Sequence, residues 1–208
     1  MINYIQSRKP CRMRSLFWLS IYLVLGMNTF AFNPLQWTVR RFQAPDLLSH
    51  NVVRDIQMAK DGSIWFATWG GGIDHLYQGD IQTCDISDGL VSNDTRVVRE
   101  DPQGGVWVGT KEGISFIHGT TITNYRKKDL PDIKSDSIFS IAIESQNRIW
   151  FGSGLNDLFY FEKKGVLHGI PVGEWKNPLH LEGTNGIRQL LFDEQDNLWM
   201  AMENEGIF

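Results

Sequence analysis

Arg54, Arg96 and Arg188 each stand eleven residues ahead of a tryptophan (Trp65, Trp107 and Trp199), and Phe139 holds the same place ahead of Trp150. Guanidiniums at a repeated register could converge on one anion, because their planar fork matches a carboxylate, sulfate or phosphate in bidentate fashion. The plainer assignment is an ion pair within the fold. Each arginine would then meet the Asn or Asp three residues earlier, or an acid of a neighbouring unit. A second set, Asp101, Glu144 and Asp193, lies six residues before its tryptophans, with Ala59 as the exception. These acids fall at hairpin starts and are expected to accept backbone N–H bonds that fix a turn. His50, His75, His118, His168 and His180 are scattered, with His75 and His118 nearly in register on strands expected to be exposed. No G-x-S-x-G elbow, H-E-x-x-H pair, phosphate-binding loop or cysteine ligand set occurs. No catalytic residue, metal or cofactor is therefore assigned, and the chain is expected not to be an enzyme.

The chain that must position these residues has 208 of them, 42% hydrophobic, with eight tryptophans and twelve phenylalanines. That is enough to build a core. Twenty glycines against seven prolines point to many turns and a β-rich fold. Residues 1–31 differ in kind: Arg8, Lys9, Arg12 and Arg14 precede the apolar run SLFWLSIYLVLGM, and Thr29-Phe30-Ala31 offers small residues for cleavage. An export signal is expected here, with an uncleaved anchor as the alternative, since a membrane span needs about 20 apolar residues. Its removal takes four positive charges and moves the net charge from −4 to −8. An acidic exported domain is a poor partner for nucleic acid or an anionic membrane surface. Cys84 alone would remain, expected as a half-buried strand residue.

DGSIWFAT, GGVWVGT, NRIWFGS and DNLWMAM centre on Trp65, Trp107, Trp150 and Trp199, at spacings of 42, 43 and 49 residues. Fourteen residues before each tryptophan stands Asn51, Asn93, Asp136 or Asn185, and nine before stands Ile56, Val98, Ile141 or Leu190. Periods of this size mark propellers and solenoids. Each unit divides into four short strands, as VVRDIQM, SIWFAT, IDHLY and IQTCDI do in the first. Asp61-Gly62, Gly79-Asp80 and Gly119-Thr120 supply hairpin turns. Four strands cannot bury both faces of their own sheet, so the units must stack, with the tryptophans between neighbours. The fold class expected is an all-β propeller of four-stranded antiparallel blades in an incomplete ring of about three and a half blades. The divisions expected are 1–31 signal peptide, 32–50 outer strand and crossover, 51–94 blade one, 95–136 blade two, 137–185 blade three and 186–208 a truncated fourth blade.

The run N-x-V-x-x-I-x-x-D-x-x-G-x-I-W-F-G-T-x-x-G-G-I, followed by the D-G-L-x-S-N crossover at residues 88–93, resembles the two-component-regulator propeller repeat. The resemblance covers roughly residues 36–208. It implies the periplasmic sensor region of a hybrid histidine kinase or diguanylate cyclase, without its output module. Membrane attachment would come through a missing C-terminal part or an uncleaved N-terminal anchor, and a homodimer is a candidate state of the intact receptor. Gly154-Leu155-Asn156-Asp157 departs from the paired glycines of the pattern.

In a propeller the crossover loops and the loops between second and third strands share one face. Here that face collects Asn51, Trp69, Asn93, Asp94, Lys111, Glu112, Asp136, Asn156 and Asn185. The residues expected to bind a small-molecule ligand are Trp69, Arg54, Arg96, Asn93, Lys111, Asn156 and Arg188. Trp69, whose equivalents are Lys111 and Gly154, suits stacking on a sugar ring of an oligosaccharide, or else packing on Arg54. Two other functions stay open: a lyase resembling the streptogramin-inactivating propellers, and a scaffold for another exported protein. The lyase would need histidines on the channel face, where only His50 and His180 are candidates.

Overall fold

The computed structural model describes residues 41–44, 47–145, 148–182 and 185–208. The export segment expected over 1–31 and the start of the outer strand and crossover expected over 32–50, through residue 40, lie outside the described residues. In chain order the first sheet holds β1 (Val53–Met58), β2 (Ile64–Thr68), β3 (Gly72–Tyr77) and β4 (Asp80–Cys84). The second holds β5 (Thr95–Glu100), β6 (Val106–Thr110), β7 (Gly113–His118) and β8 (Thr121–Tyr125). The third holds β9 (Ile138–Ile143), β10 (Arg148–Ser153), β11 (Asp157–Leu167) and β12 (Ile170–His180). β13 (Ile187–Phe192), β14 (Leu198–Met202) and β15 (Gly206–Ile207) form the fourth. Every sheet is antiparallel with strands in sequential order, the pattern that hairpin connections enforce. The first strands of successive sheets touch one another, β1 to β5, β5 to β9 and β9 to β13, so they line the inside of the stack. These are propeller blades. Among the described residues no helix is long and apolar enough to cross a membrane.

Two details of the sequence reading shift. The first blade's outer hairpin turns on Gln78-Gly79, not Gly79-Asp80, with φ of 52° and 91°. A two-residue hairpin of type I′ needs positive φ at both central positions, and this pair supplies it. The wide spacing of 49 comes from β11 and β12, eleven residues each, which extend the third blade's outer hairpin around His168-Gly169.

The repeated asparagines tie the crossovers. Asn51 Oδ1 accepts Ala44 N at 2.9 Å, and Asn93 Oδ1 accepts Ile86 N at 2.8 Å, in both cases from seven residues back.

Tryptophan is the joint between blades. Trp65 and Trp107 are 2% and 0% exposed. Trp65 packs with Val98, Val106 and Val108 of the second blade, and Trp107 with Ile138, Ile141 and Phe151 of the third. The acids six residues earlier do more than fix turns, because each takes the indole N–H. Asp101 Oδ2 accepts Trp107 Nε1 at 2.8 Å, Glu144 Oε2 accepts Trp150 Nε1 at 2.7 Å, and Asp193 Oδ2 accepts Trp199 Nε1 at 2.9 Å. The bonds from Trp199 and Asn197 hold the Asp193 carboxyl at about 2. Two residues after the tryptophans stand Ala67, Gly109, Gly152 and Ala201. A Cβ on Gly109 would lie 2.5 Å from Val97 Cγ1 and 2.7 Å from Ile138 Cγ2 of the next blade. Only a small residue lets the inner strands close up.

Two burial expectations are overturned. Cys84 is fully buried in the core between the first two blades, not half-buried. His75 is buried as well, because its ring stacks 3.9 Å from Trp65.

Lys163 of β11 reaches into the second blade, its Nζ 2.7 Å from Asp101 Oδ1, with both side chains 2% exposed. Asp101→Ala strands that ammonium and removes the indole acceptor together. It should cost about 3–5 kcal/mol, read from urea unfolding. A loss under about 1 kcal/mol, the range of a surface pair, would contradict this role.

Candidate functional site

Every inner strand is interrupted at the same place. Pairing with the second strand skips Arg54 between Val53 and Asp55, Arg96 between Thr95 and Val97, Phe139 between Ile138 and Ser140, and Arg188 between Ile187 and Gln189. A bulge leaves one residue out of the ladder and re-aims its side chain. Here four bulges aim three arginines and one phenylalanine into a single cavity of about 400 Å³, lined also by Val52 and Trp69.

The charges inside are unequal. Asp94 Oδ1 lies 3.6 Å from Arg96 Nε and 4.0 Å from Arg54 Nη2, and Glu203 Oε2 lies 2.5 Å from Arg188 Nη2. Three guanidiniums thus face two carboxylates. Aromatic faces carry part of the load: Arg96 and Arg188 lie 4.2 and 4.3 Å from the centroid of Phe139, and Arg54 lies 4.8 Å from that of Trp69. Arg96 is the most confined of the three. Among the described residues its buried Nη1 has no hydrogen-bond acceptor, while its Nε faces Asp94 Oδ1 at a long 3.6 Å. Burial pushes its pKa down, Asp94 pulls it back, and Arg54 and Arg188 repel its charge. A buried donor without an acceptor is costly. An anion between the arginines would supply one.

The structure gathers Trp69, Arg54, Arg96 and Arg188 of the expected binding residues and leaves three apart. Asn93 is spent on the loops, its side chain on Ile86 and its carbonyl on Gly70 N and Gly72 N. Asn156 is 1% exposed at φ 59° and donates to Glu182 O. Lys111 is exposed outside the cavity, its amide on Asp94 O. Trp69 packs on Arg54, one of the two alternatives, and remains 52% exposed. Each arginine has an internal acidic partner, but none meets the Asn three residues earlier: Arg54 and Arg96 share Asp94 of the crossover, and Arg188 meets Glu203 of its own blade. Phe139 and Val52 belong to the site and were not among the expected binding residues. The shared register was the signal for Phe139, and none marked Glu203.

Residues 47–70 and 89–112 match the two-component regulator propeller family. These two segments are similar to the two-component regulator propeller repeat. The chain is 25% identical over 166 residues to a histidine kinase, P4, of Formosa agariphila, an alignment covering 76% of this chain and 12% of the kinase. The chain therefore spans about an eighth of that relative's length. Its fold is that of the extracellular domain of a hybrid two-component system from B. thetaiotaomicron, with a TM-score of 0.64 and 15% identity over 81% of this chain and 23% of that one. It is also that of virginiamycin B lyase from Staphylococcus aureus, with a TM-score of 0.54 and 20% identity over 71% of this chain and 48% of that one. At these identities the two structures show the propeller fold alone.

Asp94 holds two of the three arginines of the cavity, so Asp94→Asn should lower the melting temperature more at low salt than at high salt, where ions screen the exposed part of the cluster. Thermal melts at the two ionic strengths read this, and an equal drop at both would contradict it.

Proposed function

We propose that this chain is the extracytoplasmic ligand-sensing propeller of a two-component signal-transduction receptor, and that a small anionic molecule binds among Arg54, Arg96 and Arg188. The observation that carries this reading is the buried Arg96 guanidinium, whose Nη1 lacks an acceptor among the described residues, in a cavity lined by three guanidiniums that share two carboxylate partners. Trp69 on the rim offers a flat apolar face beside that charge. Together they suit an acidic oligosaccharide, with its ring on Trp69 and its anionic group on Arg96. The receptor context draws its support from the histidine kinase relative, and the location from the extracellular domains that share the fold. The lyase likeness rests on fold alone, and no feature of the arginine cavity favours it over sensing.

Calorimetric titration of the full chain with acidic and neutral oligosaccharides of equal length tests the proposal. The acidic series should bind. Arg96→Met should weaken it by about tenfold or more, as expected for loss of a charged hydrogen bond, while Lys111→Ala leaves it unchanged. Equal binding of both series, or indifference to Arg96→Met, would refute the arginine site.

A further inference from the structure

The opposite end of the first blade holds a second cavity. β2 starts beside Ser63 and ends before Trp69, so its five residues, about 17 Å of strand, separate this cavity from the arginines. It measures about 220 Å³ and is lined by Ala59, Trp65 and His75 among others. Its origin is legible in the repeat. In the other three blades a carboxylate six residues before the tryptophan accepts the indole N–H. Ala59 stands at that position in the first blade and offers no side-chain acceptor. Trp65 nevertheless is as buried as Trp107, at 2% against 0% exposed. His75, 8% exposed and stacked on Trp65 at 3.9 Å, presents a buried Nε2 with no hydrogen-bond partner.

We propose that this cavity is a ligand site for a small carboxylic acid, whose carboxylate takes the place of the side chain that Ala59 lacks. The geometry of the neighbouring blades defines the contact. The carboxylate accepts Trp65 Nε1–H as Asp101 accepts that of Trp107, and its second oxygen meets His75 Nε2. The second blade shows the same two-sided arrangement, with Lys163 as the other partner of Asp101. The volume equals about seven waters' share of the liquid, room for a short acid.

The titratable groups lining the cavity besides His75 are Lys60, Asp61 and Glu100. The backbone engages both acids: Asp61 accepts Ser63 N at 2.9 Å and Glu100 accepts Lys60 N at 3.0 Å. The rim therefore carries one net negative charge, which disfavours a bare anion. Entry of the acid as RCOOH resolves this. Its proton passes to Nε2, giving RCOO⁻ against imidazolium, and no net charge is added. Burial lowers the free His75 pKa while Asp61 opposes that shift, so the imidazole enters neutral. Binding then takes up a proton and tightens as pH falls from about 8 to about 6.

The test is titration of the full chain with sodium propionate, followed by the Trp65 indole N–H resonance in NMR. A saturable shift is expected, stronger at the lower pH, absent in Ala59→Asp and weakened in His75→Gln. Ala59→Asp restores the pattern of the other blades, so it should raise the melting temperature, and an unchanged Trp107 indole resonance verifies its fold. Propionate that leaves the Trp65 resonance unmoved, or that shifts it equally in Ala59→Asp, would show a cavity holding water only and overturn the proposal.

Discussion

A four-stranded blade has two faces and too few residues to cover either, so each blade is stable only against its neighbours. The interaction that meets this constraint is the tryptophan on the second strand, buried against the next blade with its indole N–H on a carboxylate. A buried indole N–H without an acceptor would give back part of what its rings gain. The acid six residues earlier removes that penalty and closes the first hairpin as well, for Asp101 also takes Gln103 N at 2.9 Å. The small residue two positions after the tryptophan then lets the inner strands approach. Three sequence positions thus set the spacing and tilt of the stack.

Once the stack is fixed, a repeated local defect becomes a shared site. One bulge in one strand would turn a single side chain inward. The same bulge in four consecutive inner strands turns four side chains to one place, and Arg54, Arg96, Phe139 and Arg188 become a floor. Trp69 belongs to one blade only, and so gives the site a direction. The first blade also breaks the pattern at Ala59, and there too a cavity results. In a repeat protein the departures from the repeat carry individuality, because the common residues are committed to packing.

The architecture was legible because tryptophan, asparagine and glycine recur at fixed offsets, and each offset reports one structural duty. The register of the arginines was legible for the same reason. What their sequence could not supply was direction: an alternating strand would have placed Arg54 by its parity, and the bulge that overrides parity has no residue signature in VVRDIQM. Asn93, Lys111 and Asn156 were expected at the site because their loops share its face. The loops do share it, but Asn93 and Asn156 turn their side chains to backbone groups. The duty of Asp101, Glu144 and Asp193 was half readable. Hairpin position implied backbone bonds, while the indole bond depends on a side-chain geometry that spacing alone does not give.

The central claim is that Arg96 waits for an anion. The most direct measurement follows the arginine Nε–H resonances of the full chain by NMR while an acidic oligosaccharide is added. The signals of Arg54, Arg96 and Arg188 should move together and saturate at one concentration, with that of Arg126, which lies on the surface beside Glu112, unmoved. Shifts confined to Arg126, or spread evenly over all arginines, would show surface screening and contradict a site at the bulges.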